Sequence, residues 1–483
     1  MKTLLIHHDH DASCCVVEDE RLIYYCASER LSRVKHDQNI ECLFNDLKNR
    51  GHHHFDLVVI TRLTHEDSIS ELIDAGITFD RYIFDTSNHH KHHAYSGFLN
   101  SGFDESMVFV LDGAGSLIDM NYKEIESVYH FTNSSVKEVY KHYHITPQIG
   151  TEGNFISEDS GYDKYENGIR MSTKLSVGWM FEKFGNENGF GFTNAGKIMG
   201  LSQYYNNLDV YPVMKDLILK CRDLQVTTQN RVLELIREHT KEIKNVVISG
   251  GYGLNCVSNY NLLKELDINL HVDPLCFDAG IPIGAAVQYA NLQPFSDVYI
   301  GNSFKPPNGE KISLSEVVDI ICNQEAVAIY QGRSEAGQRA LGNRSILFDP
   351  RNPNGKDLVN KIKKREKYRP FAASVLLEHV NEWFEMRGMN ESRYMMYAVD
   401  CKKPEQIPAV VHVDNTCRIQ TVSREQNSHY YDLINEFYKR TGVPMLLNTS
   451  LNLRNQPLVE DASDIDFKGS VYFPENSTII TNS

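Results

Sequence analysis

The sequence lacks the patterns that mark several large classes of protein. Its ten cysteines form no Cys-x-x-Cys pair, and the 483 residues contain no run of 18 apolar residues. The first pattern would indicate a redox or zinc site, and the second a membrane helix. Internal repeats and low-complexity tracts are also missing. We therefore expect a globular protein with no disulfide framework and no contact with a membrane.

Positive charge is scarce as well. The chain has 49 Lys and Arg residues against 64 Asp and Glu residues, which gives a net charge of −15. That balance argues against a protein that coats nucleic acid nonspecifically, but it leaves room for a local basic groove. The first residues, MKTLLIHHDHD, become polar too soon for a signal peptide. Cys14 and Cys15 lie in an apolar strand and are expected to be buried thiols, so we expect a cytoplasmic protein.

One segment stands against the acidic average. Residues 332–351 are GRSEAGQRALGNRSILFDPR, and residues 361–374 are KIKKREKYRPFAAS. Guanidinium groups and the N–H groups of Gly-rich turns bind phosphate oxygens. A solvated surface run of charge is the alternative, but the apolar neighbours in RPFAASVLL favour half-buried arginines. The segment predicts a phosphate-handling pocket.

The order of apolar segments predicts an α/β protein of two domains. Three short strands at 3–8, 13–18 and 22–28, joined by tight turns, are typical of the start of actin-like ATPase domains. Helices are predicted near 68–75, 88–99, 176–186, 228–243 and 277–290, and strands at 57–61, 107–115, 245–253, 326–332 and 443–450. The Pro-rich stretch 294–309 is the expected boundary, between domains at 1–300 and 310–483.

A cluster of histidines predicts a metal site. His89 and His93 are four residues apart, so on a helix they share one face. Asp112 follows a strand and Asp278 opens a later helix, and each is expected to add a carboxylate oxygen. Two imidazoles and two carboxylates suit iron or another first-row metal. The alternative is a His-rich surface helix, and no HExxH motif is present to indicate a metalloprotease.

Eleven segments in order resemble the O-carbamoyltransferase family of nodulation-factor and antibiotic-tailoring enzymes (NodU-like). The segments are HDAS (10–13), SERLSRVKHD (28–37), HHKHHAYSGF (89–98), LDGAGS (111–116), GKIMGLS (196–202), SGGYGLNCVSN (249–259), FDAGIPIGAA (277–286), GRSEAGQRALGNRS (332–345), KKREKYRPFA (363–372), TCRIQTV (416–422) and TGVPMLLNTSLN (441–452). No single segment is specific, but their order along nearly the whole chain is.

The resemblance implies a fold and a two-step reaction. An N-terminal actin-like (ASKHA) domain would be followed by a C-terminal YrdC-like α+β domain. The C-terminal domain would cleave carbamoyl phosphate, and the carbamate would attack the α-phosphate of ATP, with Mg²⁺ expected alongside ATP. The resulting carbamoyl adenylate would then react at the N-terminal domain, where an acceptor hydroxyl displaces AMP. Iron is the metal of relatives; Fe²⁺ or another divalent metal is expected here.

The resemblance also implies roles for individual residues. The set for adenylate formation is Lys363, Arg369 and Ser450, with Arg339. The set for nucleotide binding is Lys197, Gly200, Gly250, Gly251, Asn255, Arg344 and Asn448, with Lys197 and Gly200 in a turn. The metal ligands match His89, His93, Asp112 and Asp278, whereas His10 and Lys35 match positions near the acceptor.

Alternatives remain for several of these residues. His10 is a candidate general base, since an unperturbed histidine pKa of roughly 6.5 lies near working pH; alternatively it only orders the HDHD turn. Lys35 is either near the acceptor or simply paired with Asp37 or Glu29. His92 stands where relatives usually have a small residue, which leaves a slipped ligand pair open.

The acceptor is what the resemblance predicts least. Frequent Asn, Ile, Lys and Tyr indicate an AT-rich genome, as in viral members of the family, some of which carbamoylate 5-hydroxymethylcytosine in DNA. Hydroxymethylated DNA in a host cytoplasm is therefore one hypothesis. A small-molecule sugar or polyketide hydroxyl is a second, and a non-catalytic nucleotide-binding regulator is a third. A homodimer is also an expectation.

Overall fold

Two compact units divide the chain. The computed structural model describes residues 1–61, 66–119, 122–145, 162–191 and 194–482. Unit 1 comprises Met1–Ala195, Val226–Leu254 and Glu265–Ser296, and unit 2 comprises Gly196–Gln225, Asn255–Lys264 and Asp297–Ser483. The chain enters the main part of unit 2 at Asp297, within the Pro-rich stretch where the boundary was expected. Two earlier segments, Gly196–Gln225 and Asn255–Lys264, also belong to unit 2. The domain bounds 1–300 and 310–483 remain a prediction.

The first sheet of unit 1 forms from the N-terminal strands. Its order is β3-β2-β1-β4-β5, with β1 to β3 antiparallel and β1, β4 and β5 parallel. Asp19 and Glu20 both have positive φ and make the tight turn between β2 and β3. The strands are β1 (Lys2–His7), β2 (Ser13–Glu18), β3 (Arg21–Ala27), β4 (His54–Thr61) and β5 (Thr78–Phe84). The predicted antiparallel trio is confirmed.

A second sheet of unit 1 has the order β10-β11-β9-β8-β6-β12-β13, with β7 paired to β8. Its strands are β6 (Glu105–Leu111), β7 (Leu117–Asp119), β8 (Tyr122–Thr132), β9 (Ser135–Ile145), β10 (Asp163–Glu166), β11 (Ile169–Ser172), β12 (Asn245–Ser249) and β13 (Asn269–Val272). The long hairpin of β8 and β9 was not among the predicted elements.

Two helices of unit 1 lie between these sheets. Helix α4 (His89–Leu99) packs on β6, β8 and β12, and helix α9 (Ile281–Ala290) packs on β1, β2 and β4. The two helices also pack against each other, closely enough that a Cβ on Gly284 would overlap the carbonyl oxygen of His92. The other helices before residue 270 are α1 (Ser28–Ser32), α2 (Glu41–Asn49), α3 (Glu66–Asp74), α5 (Val177–Glu187), α6 (Ala195–Ser202), α7 (Lys215–His239) and α8 (Cys256–Glu265).

Unit 2 is built on a nine-stranded mixed sheet of order β14-β22-β21-β15-β16-β20-β17-β19-β18. The strands are β14 (Glu310–Lys311), β15 (Val327–Tyr330), β16 (Arg344–Phe348), β17 (Ala372–Leu376), β18 (Ala398–Asp400), β19 (Thr416–Val422), β20 (Met445–Ser450), β21 (Gly469–Phe473) and β22 (Thr478–Asn482). The helices that follow Asp297 are α10 (Leu314–Cys322), α11 (Gly355–Ile362), α12 (Val380–Trp383) and α13 (Ser428–Thr441).

The mixed α/β class expected from the sequence is confirmed: both units combine sheets with helices, and the first sheet has the strand order β3-β2-β1-β4-β5. Predicted helices at 88–99 and 176–186 correspond to α4 and α5. The helix predicted at 228–243 begins earlier, at Lys215, and ends at His239. Cys14 and Cys15 are buried and free, as expected. Within the described residues, no helix is long and apolar enough to cross a membrane.

Candidate functional site

Helix α4 presents two imidazoles to one point of unit 1. His89 and His93 lie one turn apart, and the side chain of His93 is fully buried. The helix starts where the backbone N–H of His89 donates to the hydroxyl of Ser116, which satisfies one of the free amides of the first turn. The predicted pairing of these two residues on one helical face is therefore what the structure has.

Asp112 enters the same point from the end of β6. Its Oδ1 accepts a hydrogen bond of 3.0 Å from the backbone N–H of Gly251, so Oδ2 is turned toward the imidazoles. Gly250 has φ of 85°, and a Cβ there would clash with the backbone of Leu111. Gly251 thus holds Asp112 in place, and the nucleotide contact implied for Gly250 and Gly251 stays a prediction.

Asp278 comes from the short turn that precedes α9. The carbonyl of the next residue, Ala279, accepts hydrogen bonds from Ser13 Oγ at 3.0 Å and Tyr25 Oη at 2.9 Å. Strands β2 and β3 therefore fix the turn, and the close packing of α9 on α4 brings the Asp278 carboxylate to the histidines.

Four side chains thus converge with metal-ligand geometry, and their candidate ligand atoms all lie within 4.8 Å of one another. His89 Nε2 lies 3.4 Å from Asp112 Oδ2, and His93 Nε2 lies 3.4 Å from Asp278 Oδ1. The two remaining histidine–aspartate distances are 3.8 and 3.9 Å. Ligand atoms at ~2.1 Å from a shared tetrahedral centre are ~3.4 Å apart, so the set fits a first-row metal. Within the described residues, the buried Nε2 of His93 makes no hydrogen bond.

The neighbouring histidines of α4 point elsewhere. His92 Nε2 lies 3.2 Å from Asp85 Oδ2, and His90 Nδ1 lies 2.8 Å from Ser127 Oγ. Both rings are fully buried in these other surroundings. A ligand pair slipped to His92 is therefore not what the structure supports, and His89 with His93 is.

Burial and the neighbouring charges shift the pKa values of this cluster in opposite directions. Burial alone would lower the pKa of His89, but the carboxylates of Asp278 and Asp112 raise it to about 9. Burial would raise the pKa of Asp112, yet His89 and His93 hold it well below its usual range. The two carboxylates therefore remain ionised, as a divalent cation requires of its ligands, whereas His89 must lose its proton before its Nε2 can bind a metal.

Sequence reasoning missed two residues beside this cluster. His7, the last residue of β1, is 3% exposed, and its Nε2 lies 3.8 Å from Asp278 Oδ2. Glu182 on α5 lies near Gly113, and burial followed by the charge of Asp112 raises the pKa of its carboxyl to about 7. The doubled histidine at 7–8 was a visible signal; nothing in the sequence singled out Glu182.

His10 belongs to a separate triad of unit 1. Its Nδ1 lies 2.9 Å from Asp11 Oδ2, and His36 Nδ1 lies 2.8 Å from Asp11 Oδ1. Burial lowers the pKa of His10, but Asp11 raises it more, to about 9. The expectation of an unperturbed pKa is therefore wrong, since the imidazole is mostly protonated at neutral pH. Lys35 is exposed in the turn just before His36.

In unit 2, Lys363 and Ser450 meet as the resemblance implied. Lys363 is 3% exposed. Its Nζ donates to Ser450 O at 2.5 Å and lies 3.2 Å from Ser450 Oγ. Asn452, which sequence reasoning missed, accepts from Lys363 Nζ through Oδ1 at 2.5 Å and from Ser450 Oγ at 2.6 Å. Its position two residues after the serine in the NTSLN segment was the available signal.

Two arginines of unit 2, Arg369 and Arg418, lie close enough for their charges to interact. Burial lowers the pKa of Arg369, Glu366 opposes the effect, and the charge of Arg418 on β19 adds to it. The Nε of Arg418 is buried and, in the part of the chain that the structure describes, has no hydrogen-bond partner. Buried cations that repel one another are stabilised when an anion binds between them. Arg418 was not predicted, because TCRIQTV contains no basic run.

Lys197 and Gly200 also lie in unit 2. They are on helix α6 and not in a turn, which corrects the expectation. Lys197 Nζ lies 3.3 Å from Glu366 Oε1, and a Cβ on Gly200 would press against Pro370 at 3.2 Å. Both residues therefore lie beside residues 366–370 of unit 2, the segment that contains Arg369.

The loop 332–344 has a different organisation from the one expected. Glu335 Oε1 accepts hydrogen bonds from the amides of Leu341 and Asn343 at 2.7 and 2.9 Å. Arg344 is fully buried; its guanidinium donates to four backbone carbonyls and lies 3.7 Å from the Tyr330 ring centroid. Four of the five N–H groups of the Arg344 guanidinium are thus used to shape the loop, and the nucleotide contact implied for Arg344 stays a prediction. Arg339 is half-buried on this loop.

Two predicted nucleotide contacts are likewise used inside the fold. Asn448 is fully buried, and its Nδ2 donates to Ser374 Oγ at 2.9 Å and to Ala340 O at 3.2 Å. Asn255 accepts from the amide of Ser258 at the start of α8 and pairs with Gln225. Their amide nitrogens therefore stabilise unit 2, whereas Asn448 Oδ1 is buried and has no hydrogen-bond partner among the described residues. The nucleotide contact of both residues stays a prediction.

Comparison with known proteins defines the class. The family model described as "Carbamoyltransferase C-terminus" matches residues 318–467, and "Carbamoyltransferase N-terminus" matches residues 210–287. Nodulation protein NolO of Bradyrhizobium diazoefficiens is 32% identical over 444 residues, which cover 78% of this chain and 75% of that protein. Nodulation protein NolNO of Sinorhizobium fredii is 28% identical, over 94% of this chain and 76% of that protein.

The chain therefore belongs to the carbamoyltransferase family, and it is a carbamoyltransferase of the NolO and NodU type. Among solved structures, T. kodakarensis HypF is similar with a TM-score of 0.39 and 13% identity, over 59% of this chain and 47% of that one. A likeness of that degree says nothing about ligands or reaction.

Proposed function

We propose that the protein transfers a carbamoyl group to an acceptor hydroxyl through carbamoyl adenylate. The proposal is carried by the mutual repulsion of the Arg369 and Arg418 guanidinium groups, with the buried Lys363 as a further cation of unit 2. All three residues lie within the segment matched by the C-terminal carbamoyltransferase model. Carbamoyl phosphate and ATP are both polyanions that such a set binds. Mg²⁺ with ATP is part of the same proposal.

The first step takes place at unit 2. Water cleaves carbamoyl phosphate to carbamate and phosphate, and a carbamate oxygen attacks the α-phosphorus of ATP while pyrophosphate leaves. The guanidinium groups of Arg369 and Arg418 bind the phosphate oxygens and offset charge that develops on them. Lys363 is held by Ser450 and Asn452 and adds its positive charge to the site. Ser450 Oγ donates its proton to Asn452 Oδ1 in this structure and would turn that proton to a phosphate oxygen when substrate binds. Arg339 is proposed to contact the same substrates.

The second step takes place at the metal centre of unit 1. His89, His93, Asp112 and Asp278 would hold a divalent first-row metal, iron among the candidates. Such a metal supplies Lewis acidity at a carbonyl or phosphoryl oxygen. The acceptor oxygen attacks the carbamoyl carbon, AMP leaves, and the hydroxyl proton is taken up by a base. Gly251 keeps Asp112 oriented throughout.

His10 and Lys35 are proposed to act near the acceptor, although not through an imidazole that titrates at neutral pH. With its pKa at about 9, His10 is mostly a cation that can donate a hydrogen bond to the departing adenylate or the acceptor oxygen. Glu182, whose pKa is raised to about 7, is a better candidate than His10 for the base that takes the proton of the acceptor hydroxyl.

The finer proposal concerns the acceptor, the hydroxymethyl group of 5-hydroxymethylcytosine. It is a primary alcohol that lies in the major groove of duplex DNA, and a deep site requires the base to be flipped or single-stranded. The net charge of −15 favours transient contact with DNA over tight binding.

The test is incubation of the protein with carbamoyl phosphate, ATP and hydroxymethylated DNA, followed by mass spectrometry of the nucleosides. The proposal predicts a nucleoside heavier by one carbamoyl group in place of a proton. Unmodified nucleosides, together with pyrophosphate release that depends on carbamoyl phosphate, would exclude this acceptor and keep the reaction. A small-molecule hydroxyl would then be the acceptor to seek.

A further inference from the structure

The ring of His7 lies at the edge of the metal cluster, from an element that contributes none of the four ligands above. His7 ends β1, the central strand of the first sheet of unit 1. Its side chain is 3% exposed, and its ring meets the His89 ring edge-on with centroids 5.9 Å apart. Its Nε2 lies 3.8 Å from Asp278 Oδ2.

The other nitrogen of His7 is fixed by Thr61. The Thr61 hydroxyl donates its proton to the carbonyl of Ile6 at 3.2 Å. With that proton on Ile6 O, the Thr61 oxygen, 3.2 Å from His7 Nδ1, accepts a hydrogen bond from Nδ1–H. The tautomer that results has a bare lone pair on Nε2. Metal-bound histidines are commonly oriented in this way, with the second nitrogen donating to a neighbour.

Two acceptors consequently face each other. The lone pair of His7 Nε2 and the carboxylate oxygen Asp278 Oδ2 are 3.8 Å apart. Within the described residues, the Nε2 atom is buried and has no hydrogen-bond partner. Two buried lone pairs that face each other repel, and a cation between them would remove that repulsion. The second oxygen of Asp278 faces His93 and His89, so this carboxylate is surrounded by three imidazoles.

We propose that His7 is a third imidazole ligand of the metal centre of unit 1, which makes its donor set three histidines and two aspartates. This inference rests on the metal centre proposed above and adds a ligand to it. Three nitrogen donors favour Fe²⁺, Co²⁺ or Zn²⁺ over Mg²⁺ and Ca²⁺, which prefer all-oxygen sites.

The test uses the full-length protein stripped of metal and titrated with Co²⁺. His7→Asn keeps an amide N–H near Thr61 and removes the atom that faces Asp278. The matched control is His8→Asn, since His8 is equally a buried histidine but its Nδ1 contacts Ser68 Oγ at 2.7 Å. His89→Ala serves as the loss of an assigned ligand. The readouts are the dissociation constant of Co²⁺ and the number of imidazoles around Co²⁺ from X-ray absorption.

We expect His7→Asn to weaken Co²⁺ binding at least about tenfold and to reduce the imidazole count from three to two. His8→Asn should change neither. An imidazole count of two in the wild type, or an unchanged count and affinity in His7→Asn, would overturn the inference and leave the four-ligand centre intact. Failure of the wild type to bind Co²⁺ would instead reject the metal centre itself, and this inference with it. If His7→Asn does not fold, the number of imidazoles around Co²⁺ in the wild type still tests the inference.

Discussion

Burial and the Asp11 carboxylate shift the pKa of His10 in opposite directions, and the net shift can be measured. Burial disfavours its charged form, whereas Asp11 favours it and raises the pKa to about 9. A folded-state pKa above the unfolded value means that the interaction stabilises the protein fully below about pH 6.5 and is lost as pH rises through about 9. The pKa of Asp11 is lowered, so its own contribution disappears only as pH falls below the usual range of an aspartate.

Thermal unfolding of the wild type and of His10→Asn tests this prediction. The wild type should have the higher Tm at pH 6, and the difference should shrink between pH 6.5 and 9 because the imidazolium loses its proton. Asp11→Asn is the control background, in which the same histidine substitution should give a difference that does not vary with pH. A constant difference in both backgrounds would contradict the raised pKa.

Residues in the site were predictable where local spacing determined their position. His89 and His93 follow from helical geometry alone. His7, Arg418 and Asn452 were missed because their partners Asp278, Arg369 and Lys363 are distant in the sequence. The sequence does not show that Arg344 and Asn448 already donate hydrogen bonds to the backbone carbonyls of Gln331 and Ala340 within unit 2.

At the scale of elements, the contact of α4 with α9 determines where the metal ligands lie. The carbonyl of His92 occupies the space that any side chain at position 284 would need. Gly284→Ala should therefore push the helices apart and move Asp278 away from His89 and His93. We expect the free energy of unfolding to fall by about 1–3 kcal/mol, since the added methyl group overpacks the contact.

The measurement combines denaturant unfolding with Co²⁺ titration of the Gly284→Ala protein. Affinity for Co²⁺ should fall in parallel with stability, whereas pyrophosphate release dependent on carbamoyl phosphate should persist, because its residues belong to unit 2. Retained Co²⁺ affinity with lowered stability would mean that the helix contact does not set the ligand geometry.

Elements were predicted well where their hydrophobic pattern was regular. Strands β1 to β4 of the first sheet and helices α4 and α5 fall within a few residues of expectation, whereas β5 was not predicted. The β8–β9 hairpin was missed because buried charges interrupt its apolar alternation. Glu124 pairs with Lys141 and Glu126 with His142 across these strands, so polar residues stand at inward positions. Pairing across strands is a tertiary fact that periodicity does not contain.

For the whole molecule, the chain order and the spatial grouping differ. Residues 196–225 and 255–264 precede the Pro-rich boundary but belong to unit 2. Lys197 and Gly200 were therefore expected with the metal-bearing domain, and they lie instead beside Glu366 and Pro370. A boundary found from composition marks a change in the chain and cannot show that an earlier helix packs on a later domain.

The central claim is that unit 2 activates the carbamoyl group and unit 1 transfers it. The two steps should therefore respond to different substitutions. Arg369→Ala and Arg339→Ala remove charge from the unit 2 site, and His89→Ala removes a metal ligand from unit 1. Arg424→Ala is the matched control, since this arginine of unit 2 is exposed and pairs with Asp432 at the surface.

The most direct measurement is pyrophosphate and AMP formation from ATP, with and without carbamoyl phosphate, for the wild type and these four variants. We predict carbamoyl phosphate-dependent pyrophosphate release by the wild type, His89→Ala and Arg424→Ala, and a loss of about 100-fold or more in Arg369→Ala and Arg339→Ala. If the wild type shows no pyrophosphate release that depends on carbamoyl phosphate, or if His89→Ala and Arg369→Ala lose this release equally, the division of the reaction between the two units is contradicted.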